Sequence, residues 1–300
     1  REAARGGVLT VVSFGITACI RLGSSVALTR LIPDAPAAYG VMAIVYAFYS
    51  GLQMFSDVGI GQLLIQHPAG ETENFRHTAF SIQAIRGVAI WLITLALAPL
   101  IAAAYPSYAQ LRELLTVTAF AALISGFSST SLLVYRRQMK VGTIAKIELA
   151  SKVMGVGATI THALLAPSAW ALVSGSLIEA SAKTVLSHLM SNRRDRFRWD
   201  EAALAQLKTV GRWVLLSTGL TFLTGQADRL ILGQLISVQE LGVFSVVATY
   251  TFMTKQLLNQ LTQNIAYPIL CQRERAGVGF ATAYRVYARL IAALGGIALT

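Results

Sequence analysis

Gly87-Val88-Ala89-Ile90-Trp91-Leu92-Ile93-Thr94-Leu95-Ala96-Leu97-Ala98-Pro99-Leu100-Ile101-Ala102-Ala103-Ala104 runs for eighteen residues without a charged side chain. Hydrocarbon offers no partner for backbone N–H and C=O groups, so a segment of about 20 apolar residues crosses a bilayer as a helix that closes those bonds internally. The stretch therefore predicts a transmembrane helix over 79–103. Working outward with the same window, further spans are expected at 8–28, 39–58, 114–134, 149–166, 169–189, 213–235, 241–266 and 285–300, about nine in all. The composition agrees: 55% of the 300 residues are hydrophobic, 13% are charged and mean hydropathy is +0.59. A water-soluble domain of that size is expected to hold nearer 25% charged residues. The expected fold class is all-α, a polytopic helical bundle.

Lys and Arg collect in cytoplasmic loops of membrane proteins. Placing the amino terminus inside puts fifteen of the 25 basic residues in cytoplasmic segments and leaves only Arg30 and Arg112 in outer loops. The net charge of +11 is thereby a topology signal, and a nucleic-acid partner is not expected. The first apolar run carries Arg21 in its middle and no cleavage site, which makes it a retained helix rather than a signal peptide. Cys19 and Cys271 sit in or beside apolar stretches and imply no disulfide. The chain starts with Arg1 and stops at Thr300 inside an apolar run, so a fragment of a longer protein is expected.

The segment Ser191 to Arg212 is the most polar and marks the expected domain boundary. It divides an amino-terminal six-helix lobe over 1–190 from a truncated second lobe over 213–300. Trp199, Ala203, Leu207 and Val210 recur at steps of four, four and three beside the Arg193 to Arg198 cluster, which predicts an amphipathic helix on the cytoplasmic leaflet. A repeat straddles this boundary. Leu31-Ile32 followed by Tyr39-Gly40-Val41 resembles Leu235-Ile236 followed by Leu241-Gly242-Val243, about 202 to 204 positions later. Two lobes related by inverted or pseudo-two-fold symmetry would follow.

No G-x-x-x-x-G-K-[ST] sequence exists, and G-x-S-x-G is absent. His67, His77, His162 and His188 are scattered without metal-ligand spacing. Neither enzyme chemistry, a cofactor nor a metal is expected. What does carry information is charge inside the spans, because an ionisable side chain near the bilayer centre costs roughly 2.5 to 3.5 kcal/mol or more and faces a bundle interior or a wet cavity. In the first span Ser13, Thr17, Arg21 and Ser24/Ser25 share a face. Ser217, Thr221, Thr224 and Asp228 do the same in the seventh, and Thr251, Lys255, Asn259 and Thr262 in the eighth. Asp228 and Arg229 lie near the outer end, where an interface position competes with a cavity one. Arg86 either snorkels to headgroups or lines the cavity. Glu179 and Lys183, four apart, are expected to pair along one helix. Asp57 closes the polar face Tyr46, Ser50, Gln53 of the second span. Cations at Arg21, Arg86 and Lys255 suit an anionic cargo, above all a diphosphate, since guanidinium pairs with phosphate oxygens bidentately.

Three sequence features resemble one known family. Ser56-Asp57-Val58-Gly59-Ile60-Gly61-Gln62-Leu63-Leu64-Ile65-Gln66 is similar to the Asp-x-Gly-x-x-x-Ala-Leu-Ile-Gln signature of polysaccharide-repeat-unit flippases in the multidrug/oligosaccharidyl-lipid/polysaccharide exporter superfamily. Ala227-Asp228-Arg229-Leu230-Ile231-Leu232-Gly233 with Leu241-Gly242-Val243-Phe244-Ser245 resembles the family's second element, and Tyr39-Gly40 its early Tyr-Gly pair. Leu64 stands where alanine is common, and Phe244 where tyrosine is. The resemblance implies two six-helix bundles around a central cavity that alternates between inward- and outward-open states. The implied cargo is an undecaprenyl-diphosphate-linked oligosaccharide moved to the periplasmic leaflet of a bacterial inner membrane. The expected cavity residues are then Arg21, Arg86, Lys255 and Asp228, with Asp57, Gly59, Gly61, Glu179 and Lys183 structural or gating. A coupling ion, H+ or Na+, and polysaccharide-assembly enzymes are the further partners implied. Rival readings are a multidrug or peptidoglycan-precursor exporter of the same superfamily and, from another class, a membrane-embedded polymerase or ligase or an assembly scaffold.

Overall fold

The computed structural model describes residues 2–56, 59–191 and 193–251, and beyond them 259, 262–263, 267–275, 284–285 and 288–289. The described residues hold helices and no strand. The long elements are α1 (Glu2–Leu31), α2 (Ala35–Phe55), α4 (Glu73–Ala104), α5 (Leu111–Gly126), α7 (Val141–Leu165), α8 (Trp170–Leu189), α9 (Glu201–Leu235) and α10 (Val238–Thr251). Shorter ones are α3 (Ile60–Gln66), α6 (Ser131–Arg137) and α11 (Tyr267–Arg275). Asp57, Lys255 and nearly all of the span expected at 285–300 lie outside the described residues.

Among the described residues, three helices are long and apolar enough to cross a membrane, Leu9–Leu31, Ala35–Phe55 and Glu73–Ala104, and α5 with α6 passes the same test only as a bent pair. Leu92, Leu100, Val12 and Val26 stand exposed on α4 and α1, a surface that only lipid would cover at low cost. α2 is central: Ile44 and Val45 are fully buried against Leu114 and Leu115 of α5 and Leu241 of α10. Asp34 starts α2 by accepting the Ala37 N–H at 3.2 Å, ahead of Pro36 in the first turn, where a proline costs no bond.

The fourth expected span, 114–134, is not one rod. α5 and α6 meet at a break bent by 65°. A 19-residue hydropathy window averages over this, because the short hydroxyl run Ser128-Ser129-Thr130-Ser131 at the break is flanked by apolar residues on both sides. The backbone groups freed at the break are taken up by side chains: Gln83 Nε2 lies 3.2 Å from Gly126 O and 3.0 Å from Ser128 O, and Asp195 accepts the Thr130 N–H at 3.0 Å.

The linker also departs from expectation. The helix expected from Trp199, Ala203, Leu207 and Val210 begins at Glu201, so it holds the last three of these, and it continues unbroken through Leu235, whereas residues 193–200 form no helix. The apolar spacing does not govern 193–200, because its N–H groups are bound by α4 instead of by a helix of their own. Arg196 N donates to His77 Nδ1 at 3.2 Å, Arg198 N to Ser81 Oγ at 3.0 Å and Asp200 N to Thr78 Oγ1 at 2.9 Å. Asp200 then caps α9 through the Ala203 N–H at 2.9 Å. This strap fixes one end of the bundle. At the opposite end the loop after α4 grips α9, with Tyr105 Oη donating to Leu230 O at 2.9 Å and Tyr108 Oη to Gly233 O at 3.0 Å.

Two pairs of glycines set close approaches. A Cβ on Gly40 of α2 would collide with the Val238 carbonyl of α10, and one on Gly242 with the Pro36 carbonyl. Val238 follows Pro36 by the same 202 positions that separate Gly242 from Gly40, so the two contacts are reciprocal, as around a two-fold axis. Between α7 and α8, a Cβ on Gly155 would lie 2.9 Å from Gly175 O, and one on Gly175 would strike Thr159 Oγ1.

Candidate functional site

At the centre of the bundle lies a cavity of about 480 Å³, within the size range of small-molecule sites. Among the described residues, six helices wall it, and the charged residues are Arg21 from α1, Lys152 from α7, Glu179 from α8 and Arg229 from α9. Three cations thus face one carboxylate. Hydroxyls surround them: Ser24 and Ser25 from α1, Tyr39 and Tyr46 from α2, Ser176 from α8, and Ser245 and Thr249 from α10.

Several of these hydroxyls bond back to their own helix. Ser24 Oγ donates to Arg21 O at 2.9 Å, Ser176 Oγ to Val173 O at 2.8 Å and Thr249 Oγ1 to Ser245 O at 2.8 Å. Their lone pairs remain to accept. Glu179 Oε2 meets Lys152 Nζ at 2.9 Å. The expected partner was Lys183, one turn along α8. The glycine contact of α7 and α8 overrides that local pairing, because it brings the α7 lysine to the carboxylate across a gap too narrow for larger residues. Lys183 makes no ion pair with a described residue.

Arg229 reaches the cavity from α9. Its Nη1 donates to Gln226 Oε1 at 2.7 Å, and its Nε is buried with no hydrogen-bond partner among the described residues. Asp228, expected in the cavity, is instead exposed, and its Oδ1 accepts the Arg229 N–H at 2.8 Å. Successive helical residues point about 100° apart, so the two cannot share a face.

Arg86 is a second correction. It lies away from the central cavity, in a recess of about 210 Å³ beside Gln53, Gln83 and Ser128. Its Nε donates to Ser56 Oγ at 2.9 Å and its Nη2 to Gln53 O at 2.6 Å and Gln53 Oε1 at 2.9 Å. A guanidinium there satisfies one carbonyl of the last turn of α2, that of Gln53, and opposes the negative end of that helix. Gly59 stands at φ 70° as the residue that opens α3, a backbone conformation glycine adopts without strain. Gly61 is less constrained, since a Cβ there would only touch Leu133 at 3.6 Å.

Of the expected cavity residues the structure places Arg21 in the site, together with Glu179 from the structural set, and adds Lys152 and Arg229. The α7 signal was present: Glu148, Lys152, Gly155 and Thr159 recur at steps of four, three and four on one face.

Residues 27–295 match the model of a family described as "Polysaccharide biosynthesis protein". The chain belongs to this family. The chain is 22% identical over 224 residues to the teichuronic acid biosynthesis protein TuaB of Bacillus subtilis (strain 168), covering 74% of this chain and 46% of that one. It thus spans less than half the length of that curated relative. Among solved structures, it resembles a multidrug resistance MATE family transporter of the MOP superfamily in an inward-facing conformation. That match has a TM-score of 0.56 at 14% identity and covers 96% of this chain and 71% of the other. The polysaccharide-family chain therefore has the fold of a MOP-superfamily membrane transporter, which agrees with the resemblance read from Asp57-x-Gly59 and Asp228 to Gly242.

Proposed function

We propose that the chain forms the amino-terminal lobe, and the first part of the second, of a flippase that carries a polyprenyl-diphosphate-linked oligosaccharide across a bacterial inner membrane by alternating access. The strap end faces the cytoplasm in this reading, as the Lys and Arg distribution requires. The observation that carries it is the charge of the central cavity: Arg21, Lys152 and Arg229, from three different helices, against Glu179 alone. That carboxylate is already held by Lys152, so the net field left for a cargo is positive. A cationic drug finds no open acid there among the described residues, whereas a diphosphate finds guanidinium and ammonium donors with hydroxyls around them. Polar headgroup and sugars travel inside the bundle while the polyprenyl tail stays in lipid, and no covalent step is needed.

The test is transport of a fluorescent lipid-linked oligosaccharide between leaflets by the full-length protein in proteoliposomes. Arg229→Gln is expected to slow it roughly ten- to hundredfold, the worth of one charged hydrogen bond in a dry site, with protein level unchanged. Arg86→Gln, which acts on the end of α2, is expected to lower stability more than cargo affinity. Equal transport by wild type and by the combined Arg21→Gln/Arg229→Gln variant would overturn the reading.

A further inference from the structure

The strap carries three guanidiniums that the fold does not use. Arg194, Arg196 and Arg198 are exposed, and their side chains make no hydrogen bond or ion pair with a described residue. They surround a recess of about 300 Å³ shared with Glu73, His77 and Phe197. Beside them Phe197 is 64% exposed and Trp199 54% exposed.

The backbone beneath is fixed at four points. The Asp195 side chain is fully buried against Arg76 at 3.2 Å, and the three N–H bonds to His77, Ser81 and Thr78 follow. The arginines are therefore displayed on a rigid ribbon, which lowers the ordering cost of any anion they bind.

Depth decides what that anion is. The strap lies along residues 77–81 of α4, where the helix is buried, and the first exposed apolar residue of α4 is Ile85. One turn, about 6 Å, thus separates the strap from the lipid-facing band. Arginine flanked by tryptophan and phenylalanine at that level matches the headgroup layer, where aromatic rings partition and anionic lipids gather.

We propose that the strap binds the anionic phospholipid headgroups of the cytoplasmic leaflet, with Arg194, Arg196 and Arg198 holding phosphates and Trp199 seated among the glycerol groups. The site lies outside the cargo cavity, and only its leaflet assignment rests on the proposed topology. Because Asp200 caps α9 directly, the bound lipid holds the start of α9 against α4.

Full-length protein purified in mild detergent is titrated with phosphatidylglycerol or phosphatidylcholine, and bound lipid is counted by native mass spectrometry, without any oligosaccharide lipid. Phosphatidylglycerol is expected to be retained over phosphatidylcholine, and less so as salt rises. Arg194→Gln/Arg196→Gln/Arg198→Gln is expected to lose roughly two orders of magnitude in that affinity at unchanged melting temperature, from about fivefold per basic residue at an anionic surface. Trp199→Ala reports separately on the aromatic seat and is expected to weaken both lipids alike. Equal phosphatidylglycerol retention by wild type and the triple variant overturns the proposal. So does loss of binding to a soluble acidic protein with lipid retention unchanged. A failure of the transport reading would leave these lipid counts as expected.

Discussion

The Arg76 side chain is 2% exposed and meets the Asp195 side chain, 0% exposed, with Nη2 to Oδ1 at 3.2 Å. The carboxylate is saturated. It also accepts Ser129 Oγ at 2.7 Å, Thr130 Oγ1 at 2.6 Å and the Thr130 N–H at 3.0 Å. Removing one member of a buried pair strands the other charge, which typically costs about 3–5 kcal/mol, whereas replacing both by apolar groups is far milder. Asp195→Asn is therefore expected to lower the unfolding free energy by about that amount in detergent melts. Arg76→Met/Asp195→Leu should recover part of it, limited by the turn at Ser129 and Thr130 that Asp195 also holds. None of this was legible in the sequence. Asp195 sits among arginines in a polar run, and its neighbours there say solvent, while its partner lies 119 positions away. Arg21 was legible, because a charge deep in an apolar run announces itself; Lys152 was hidden by the assumption that Glu179 would pair within its own helix.

At the scale of elements, α7 and α8 approach through Gly155 and Gly175, and that approach is what brings Lys152 to Glu179. Gly175→Ala would drive a methyl into Thr159 Oγ1, and overpacking of this kind costs typically 1–3 kcal/mol. Gly157, on the same helix as Gly155, has nothing within 4 Å of its Cβ position. Gly157→Ala is then expected to stabilise by about 0.5–1 kcal/mol, through helix propensity alone. Melting temperatures of the two variants should move in opposite directions. Helix existence was readable from apolar runs for α1, α2 and α4, because length and hydropathy suffice there. The break between α5 and α6 was not, because Gln83 and Asp195, which make it tolerable, come from elsewhere in the chain. The path of the strap was not legible for the same reason, since the spacing that marks the start of α9 cannot show that Thr78 and Ser81 will bind the backbone just before it.

For the molecule as a whole, the repeat seen faintly in Tyr39-Gly40 and Leu241-Gly242 becomes a physical junction, where each glycine admits the backbone of the other helix. In the proposed alternating-access cycle, helices that interlock this way at the end opposite the strap would keep the cavity closed there, and separating them would open that end. Gly242→Val removes the fit and is expected to shift the protein toward the state open at that end. The measurement is labelling of Ser245→Cys, a cavity residue, by an impermeant maleimide in a Cys19→Ser/Cys271→Ala background. Labelling from the side of the membrane at the end opposite the strap should rise several-fold over the parent, and unchanged labelling would show that the junction is not the barrier. Sequence could suggest the repeat but not the reciprocity, which needs both helices in place.

The strap also imposes an order on biogenesis. Arg76, Thr78 and Ser81 are made more than a hundred residues before Asp195, Arg198 and Asp200, which satisfy them. Until the ribosome has delivered that segment, the first turns of α4 carry a guanidinium without its counter-charge, and the bend after α5 lacks its acceptor. The amino-terminal helices can thus enter the membrane early, yet they lock together only when the strap emerges. A nascent chain halted before residue 195 should remain sensitive to protease at the α5 to α6 bend, while one halted a few dozen residues later should resist.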